Sequence, residues 1–561
     1  MKRLAELGQM DKESALSRKD FLKAALVGAG TMAMPFAGLT KSLQDGSLTI
    51  EDLKSACKSV GLEFSEEELK GVLSDVKGLK KGYDAVRDLK LTNGSVTSSR
   101  FLPLINGSVE NYRVSVSPGN VKRKQLKGLS DEDIAFASIR ELAHWMSTKQ
   151  ISSRELTDLY LKRLKRYGDA LICVISLTED IAKQQSKKAD EQFEKGTVLS
   201  PLQGIPYGLK DLFSVKGFNT TWGAGPYENQ KIDVDCAVYE KLRSAGAVLV
   251  AKLSMGALAM NDVWFKGKTK NPWNSARGSS GSSAGSASAT AAGLVGFAIG
   301  TETYGSIMSP SNECRVTGLR PTFGRVSRYG AMELSPSLDK AGPMCREVED
   351  CALVLATICG ADIRDPSSVN RSFVWTGKLD PKKVKVGVLG DTKNMDSDDA
   401  TKMLREIGFD PKPVTIKPLT AGVDVILDVE CAAAFDAFTR DGTIRTLKDS
   451  LWPGIFRSAR FVTAVEYAEA MRARYAYMVQ FEKEFGEFDV IMAKGIGESL
   501  IQTNFTGHPQ ILVPFGSTAQ NTSMSRSFIG RLYSESILCS VAKAFQGKAG
   551  HLGKRPDLSK I

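Results

Sequence analysis

Between residues 48 and 90 apolar side chains recur every three or four positions, the period of a helix with one buried face. The spacing predicts two helices. Thr49 and Asp52 form a capping box at the start of the first, where Leu48 can staple against Leu53. Ser65 and Glu68 repeat the box, with Phe64 set to meet Leu69. The second helix carries Leu69, Val72, Leu73, Val76, Leu79, Tyr83 and Val86 on one stripe, which must dock on another apolar surface. Residues 91–128 are looser, with Asn and Gly turns, and read as a tether. From Ser130 helical periodicity resumes in DEDIAFASIRELAHWM and SSRELTDLYLKRL. Short apolar runs then alternate with helical stretches, as in KVKVGVLG before DATKMLREIGF, and that alternation predicts an α/β body without internal repeats.

One stretch breaks the pattern. Residues 277–293 read RGSSGSSAGSASATAAG, small side chains with a single charge. A flexible Ser/Gly linker is one reading. The flanks favour another, because a turn built on NPWN precedes the stretch and the strand-like GLVGFAIGTETYGSI follows it. Small residues between buried elements mark close approach of backbone to backbone or to a ligand. The stretch is therefore a candidate site.

Composition narrows the chemistry. With 42% hydrophobic and 25% charged residues the 561-residue chain is an ordinary globular sequence, long enough for one large core or several units. No uncharged run is long enough for a confident membrane span. The net charge of +11 comes from 75 basic and 64 acidic residues that are interleaved, which indicates a solvated basic surface and no nucleic-acid footprint. Nine scattered cysteines without a CxxC read as buried thiols, neither a disulfide framework nor a zinc site. Only three histidines exist, His144, His508 and His551, and no metal-binding spacing joins them. A Ser-His-Asp triad would need one of these three. No metal or cofactor is expected.

Near the start, SRKDFLK followed by AALVGAGTMAMPFAGLT resembles a twin-arginine export signal, with Lys19 in place of the second arginine. An N-terminal helix packed on the body is the competing reading. The organisation expected is an export-signal-like segment over 1–40, a helical pair and tether over 41–128, and a main domain over 129–561. Export to the periplasm or beyond follows if the signal is used; otherwise the chain is cytoplasmic.

Three motifs line up in order: GIPYGLKDLFSV (204–215), the Gly/Ser stretch, and GTETYGSIMSP (300–310). Together they resemble the amidase signature family, whose members share a lysine in a GxKD-like turn, a GGSSGGS-like loop and GTDTGGSIR. The resemblance implies an α/β/α sandwich around a large mixed β-sheet and a Ser–cis-Ser–Lys triad. Mapped onto this chain, the lysine is Lys210, the bridging serine is Ser282 and the nucleophile is Ser306. It also implies a cis peptide at Gly281–Ser282. The chemistry explains the residue types. A serine hydroxyl needs a base, and lysine serves only when burial lowers its pKa from about 10.4. Leu209, Leu212 and Phe213 surround Lys210 in sequence and can desolvate it. The turn Thr303-Tyr304-Gly305 is placed to supply oxyanion N–H donors.

The chain departs from the family pattern at three positions. Tyr304 replaces a glycine, Glu302 an aspartate and Met308 the arginine of GGSIR. Tyr304 is expected to crowd the acyl pocket, and an acid–arginine pair is expected to be lost. The helix pair is also similar, through GLEFSEEEL (61–69), to the small partner subunit of tRNA-dependent amidotransferases. The reading is a serine amidase acting on linear C–N bonds other than peptide bonds, with a small-molecule amide as partner. A glutaminase-type subunit feeding ammonia to an amidotransferase and a non-catalytic amide-binding member are the alternatives. The sequence sets no oligomeric state, and a homodimer is compatible with it.

Overall fold

In the computed structural model, the described residues are 48–59, 61–89, 112–117, 125–390, 395–447, 450–518 and 523–561. The export-like segment and most of the tether lie outside them. The strands of the main sheet are β1 (Val174–Leu177), β2 (Pro206–Lys210), β3 (Val248–Leu253), β4 (Phe297–Glu302), β5 (Thr317–Arg320), β6 (Lys340–Cys345), β7 (Val386–Leu389), β8 (Lys412–Val414), β9 (Val490–Lys494), β10 (Gln510–Ser517) and β11 (Ser523–Gly530). They form one mixed sheet of eleven strands, ordered β8-β7-β9-β11-β10-β5-β6-β4-β2-β3-β1. β2 runs parallel to both β3 and β4, while β6 is antiparallel to β4.

Every residue of β2, β3 and β6 is buried, which requires cover on both faces of the sheet. Helices supply it. Ser153–Leu171 and Glu179–Glu194 pack on β3, and Glu535–Lys548 packs on β10 and β11. The predicted run after Ser130 gives helices Asp131–Ala135, Ile139–Ser147 and Ser153–Leu171, each opened by a complete capping box. KVKVGVLG and DATKMLREIGF become β7 and helix Asp399–Ile407. This is the α/β/α sandwich that the resemblance implied.

The helical pair forms at Ile50–Ser59 and Glu66–Asp88. Both caps close: Thr49 N–H donates to Asp52 at 2.9 Å and Ser65 N–H to Glu68 at 2.8 Å. The stripe docks as it must. Leu53, Leu69, Val72 and Val76 share a cluster with Phe461, and Val86 joins Leu338, Val423 and Met471. Glu68 also receives Arg445 at 2.9 Å and Arg457 at 2.5 Å. Part of the tether is ordered too, because Val114–Val116 pairs in parallel with Phe373–Trp375.

The small-residue stretch holds a helix, Ala284–Ala291, that sequence periodicity did not reveal. All eight residues are buried, so no face differs from another and no amphipathic period exists. Its hydroxyls are satisfied by the surrounding backbone. Ser286 Oγ donates to Ile299 O at 3.0 Å and Ser288 Oγ to Lys270 O at 2.8 Å. A helix this thin lets β2 and β4 approach it closely.

Candidate active site

Lys210 ends β2, and its side chain is wholly buried. Its Nζ donates to Ser282 Oγ at 2.8 Å, Thr301 Oγ1 at 2.9 Å and Ser283 Oγ at 3.1 Å. No carboxylate touches it: the adjacent Asp211 turns away to Lys252, at 2.6 Å in a buried ion pair. Burial lowers the Lys210 pKa to about 7, with the charges of Asp339 and Glu302 opposing the shift. An ammonium surrounded by hydroxyls and no contacting anion loses its proton readily. A neutral amine near pH 7 is therefore available next to Ser282.

Ser282 enters the site through the Gly281–Ser282 peptide, which is cis as the resemblance implied. A Cβ on Gly281 would stand 1.8 Å from Asn261 O, so only glycine fits. The next residue, Ser283, links the motifs. Its Oγ donates to Thr301 O at 3.0 Å and accepts Thr301 N–H at 3.2 Å, while its own N–H donates to Ser306 O at 3.1 Å. Ser306 is thus brought beside the Lys210–Ser282 pair through backbone. Among the described residues no hydrogen bond joins Ser306 Oγ to Ser282, so the hydroxyl bridge expected from the sequence is not formed in this state. Catalytic hydrogen bonds commonly tighten only with substrate bound.

The turn 303–306 is held from beneath. Glu302, fully buried, accepts the N–H groups of Ile307 at 2.8 Å and Met308 at 2.9 Å on one oxygen. The other oxygen accepts Arg320 at 2.6 Å and Asn504 at 2.9 Å. This corrects the sequence reading: although Met308 stands where the family has arginine, the acid is not left unpaired, because Glu302 pairs with Arg320 of β5. Burial opposes the Glu302 charge, but Arg320, the Met308 N–H, Lys340 and Asn504 outweigh it and hold the carboxyl below its usual range.

Thr303 donates its hydroxyl to Asp339 at 2.6 Å. Tyr304, expected to crowd the acyl pocket, sends its ring edge-on against Phe505 at 6.0 Å, beside the cluster of Leu338, Val423 and Val86. Gly305 has φ 150°, and a Cβ there would press on Ser309 and Leu500. Among the described residues nothing accepts a hydrogen bond from the N–H of Tyr304, Gly305 or Ser306. These free donors are what an oxyanion site requires.

The histidines lie elsewhere. His508 bonds Thr506 and Glu482, and His551 bonds Arg315 O. Among the described residues no group of three or more His, Cys, Asp or Glu could hold a metal. Sequence reasoning missed Ser283, Thr301 and Asp339. The first two were within quoted motifs, and the parity of β4 was the available signal for Thr301; Asp339 carried none.

An α/β/α sandwich in which a fully buried strand delivers a buried lysine to a pair of serines defines the class as a serine–lysine protein of amidase architecture. The chain belongs to the amidase signature family, since the Amidase family model matches residues 155–494. It is 32% identical over 488 residues to a glutamyl-tRNA(Gln) amidotransferase subunit of Acinetobacter baumannii, covering 76% of this chain and 99% of that one. The subunit of the same name from Methylococcus capsulatus is 32% identical over 468 residues, covering 73% and 96%. Among solved structures, the native peptide amidase of Stenotrophomonas maltophilia superposes with a TM-score of 0.68 at 26% identity, over 75% of this chain and 98% of that one. A bacterial aryl acylamidase shares the fold with a TM-score of 0.67 at 20% identity, over 74% and 97%.

Proposed function

We propose that this chain hydrolyses a linear, non-peptide carboxamide through an acyl-Ser306 intermediate. The observation that carries the reading is the hydrogen bond of 2.8 Å from Lys210, buried and lowered to about 7, to Ser282 Oγ. Ser306 Oγ attacks the amide carbon while its proton passes through Ser282 to Lys210. The oxyanion is received by the free N–H groups of the turn 304–306. The C–N bond then breaks as the proton returns to the departing amine or ammonia. Water, deprotonated by the same route, releases the acid and restores Ser306. No cofactor takes part in these steps.

Arginine keeps the length and charge of lysine but does not deprotonate in a protein. Lys210→Arg is therefore expected to be as inactive as Lys210→Ala on a panel of aryl, aliphatic and amino-acid amides. A folded Lys210→Arg enzyme with near wild-type turnover would falsify the base role. The same panel, extended to peptide amides and internal peptide bonds, tests the restriction to non-peptide substrates.

A second reading is an ammonia-supplying glutaminase subunit. The 32% identity to proteins named as glutamyl-tRNA(Gln) amidotransferase subunits, over nearly their whole length, favours it. Glutamine turnover exceeding that of every other amide in the panel would select this reading over the first.

A further inference from the structure

The loop Leu334–Asp339 closes on its own carboxylate. Asp339 Oδ2 accepts the N–H of Leu334 at 2.8 Å and of Ser335 at 2.9 Å, and Oδ1 accepts the Thr303 hydroxyl at 2.6 Å. Sheet register dictates the meeting. β6 pairs antiparallel with β4 so that Lys340 lies opposite Glu302, which brings Asp339 opposite Thr303. The loop is anchored on its far side as well. Ser335 Oγ and Ser337 N–H donate to Glu430, and Arg474 donates to Ser337 Oγ at 2.7 Å and Ser337 O at 2.9 Å. Asp339 is thus a fixed point from which Thr303, three residues before Ser306, is held.

Its charge matters separately. Two carboxylates act on Lys210 from neighbouring elements, Asp339 from this loop and Glu302 from β4, with Asp339 the stronger. Glu302 is compensated by Arg320 in contact at 2.6 Å, and Asp211 by Lys252. Lys340 also lies near Glu302 and Asp339, and Arg328 near Asp339, yet Arg328 spends its hydrogen bonds on Asp365, Pro336 O and Ser367. Among the described residues Asp339 enters no contact ion pair. Burial pushes the Asp339 carboxyl above its usual range, while the Thr303 hydroxyl, Arg328 and the Leu334 and Ser335 N–H groups favour its charge.

We propose that Asp339 is a positioning residue with two separable effects. Through Thr303 it fixes the turn that carries Ser306, and its charge, with that of Glu302, holds the Lys210 proton more tightly than burial alone would. The inference rests on reading Lys210 as the base. A negative charge favours the protonated amine, so removing it lowers the pH at which the amine becomes neutral.

The test is the pH dependence of fluorophosphonate labelling of the full chain, in which the Ser306 Oγ–P bond forms, fluoride leaves and the proton passes to the base. Wild type is expected to rise with pH through about 7 and then level off. Asp339→Asn should move that acidic limb to lower pH by roughly 0.5–1 unit. Thr303→Val should lower the plateau about tenfold and leave the limb in place, with Thr303→Ser restoring the plateau. An unmoved limb in Asp339→Asn, or a wild-type plateau in Thr303→Val, would overturn the proposal. If Asp339→Asn does not fold, Asp339→Ser, read in the same way, decides the charge effect, and the two Thr303 variants, which leave the loop's own hydrogen bonds intact, decide the positioning effect. Failure of the base reading looks different: wild type then shows no limb, or Lys210→Ala labels with the same limb.

Discussion

Glu302 shows how one buried carboxylate ties a turn to a distant strand. Where the family has aspartate and an arginine in the same motif, this chain has a longer acid and reaches Arg320 on another strand. Every oxygen is engaged, so the buried pair leaves no charge uncompensated. Glu302→Gln would strand the Arg320 guanidinium in the interior and release the Ile307 and Met308 N–H groups from a charged acceptor. A loss of about 3–5 kcal/mol is expected in urea unfolding, together with loss of turnover. The pH sign follows from the depressed carboxyl. Its contribution is full above the unfolded value of about 4.3 and disappears as pH falls through the lower folded value. Wild type should therefore lose stability in acid more steeply than Glu302→Gln, and parallel curves for the two would count against the pairing. Lys210, Ser282 and the turn were legible because three motifs share one order. The pairing of Glu302 with Arg320 was not, since 18 residues separate them and only strand pairing brings them together.

The helical pair was the most legible element. Its caps, its staple and its stripe all follow from local spacing, and the docked surface is the one the stripe predicted. What the sequence could not supply was the receiving surface: Phe461, Arg445 and Arg457 come from the other end of the chain. Leu69 is fully buried in that contact, and Leu69→Ala should cost about 2–5 kcal/mol. Hydrogen exchange is expected to quicken across 48–88 while β2, β4 and β6 stay protected. Uniform quickening of the whole chain would show that the pair is not a separate unit. The helix Ala284–Ala291 was illegible for the opposite reason, burial on every side. Gly285→Ala tests that packing, because a Cβ there would meet Cys173 O at 2.4 Å and Ser254 N at 2.5 Å. A loss of roughly 1–3 kcal/mol is expected in thermal or urea unfolding.

For the molecule as a whole, sheet order explains why distant motifs form one site. β2, β4 and β6 stand side by side and deliver Lys210, Glu302 and Asp339 to one end of the sheet, while the Ala284–Ala291 helix carries Ser282 and Ser283 at its entrance. No helix among the described residues is long and apolar enough to cross a membrane. All nine cysteines are buried free thiols, so labelling with a thiol reagent should appear only on unfolding. We also propose export through the segment SRKDFLK, with a mature chain starting after about residue 40; protein from the native host that retains Met1 would speak against it. Hydrolysis by the proposed route requires that Ser306 become covalently linked during turnover. Peptide-resolved mass spectrometry after fluorophosphonate treatment reads that link at the level of the residue. One adduct is expected, on the peptide containing Ser306 and absent from Ser306→Ala, whereas an adduct on Ser282 or Ser283, or equal labelling of the variant, would contradict the mechanism.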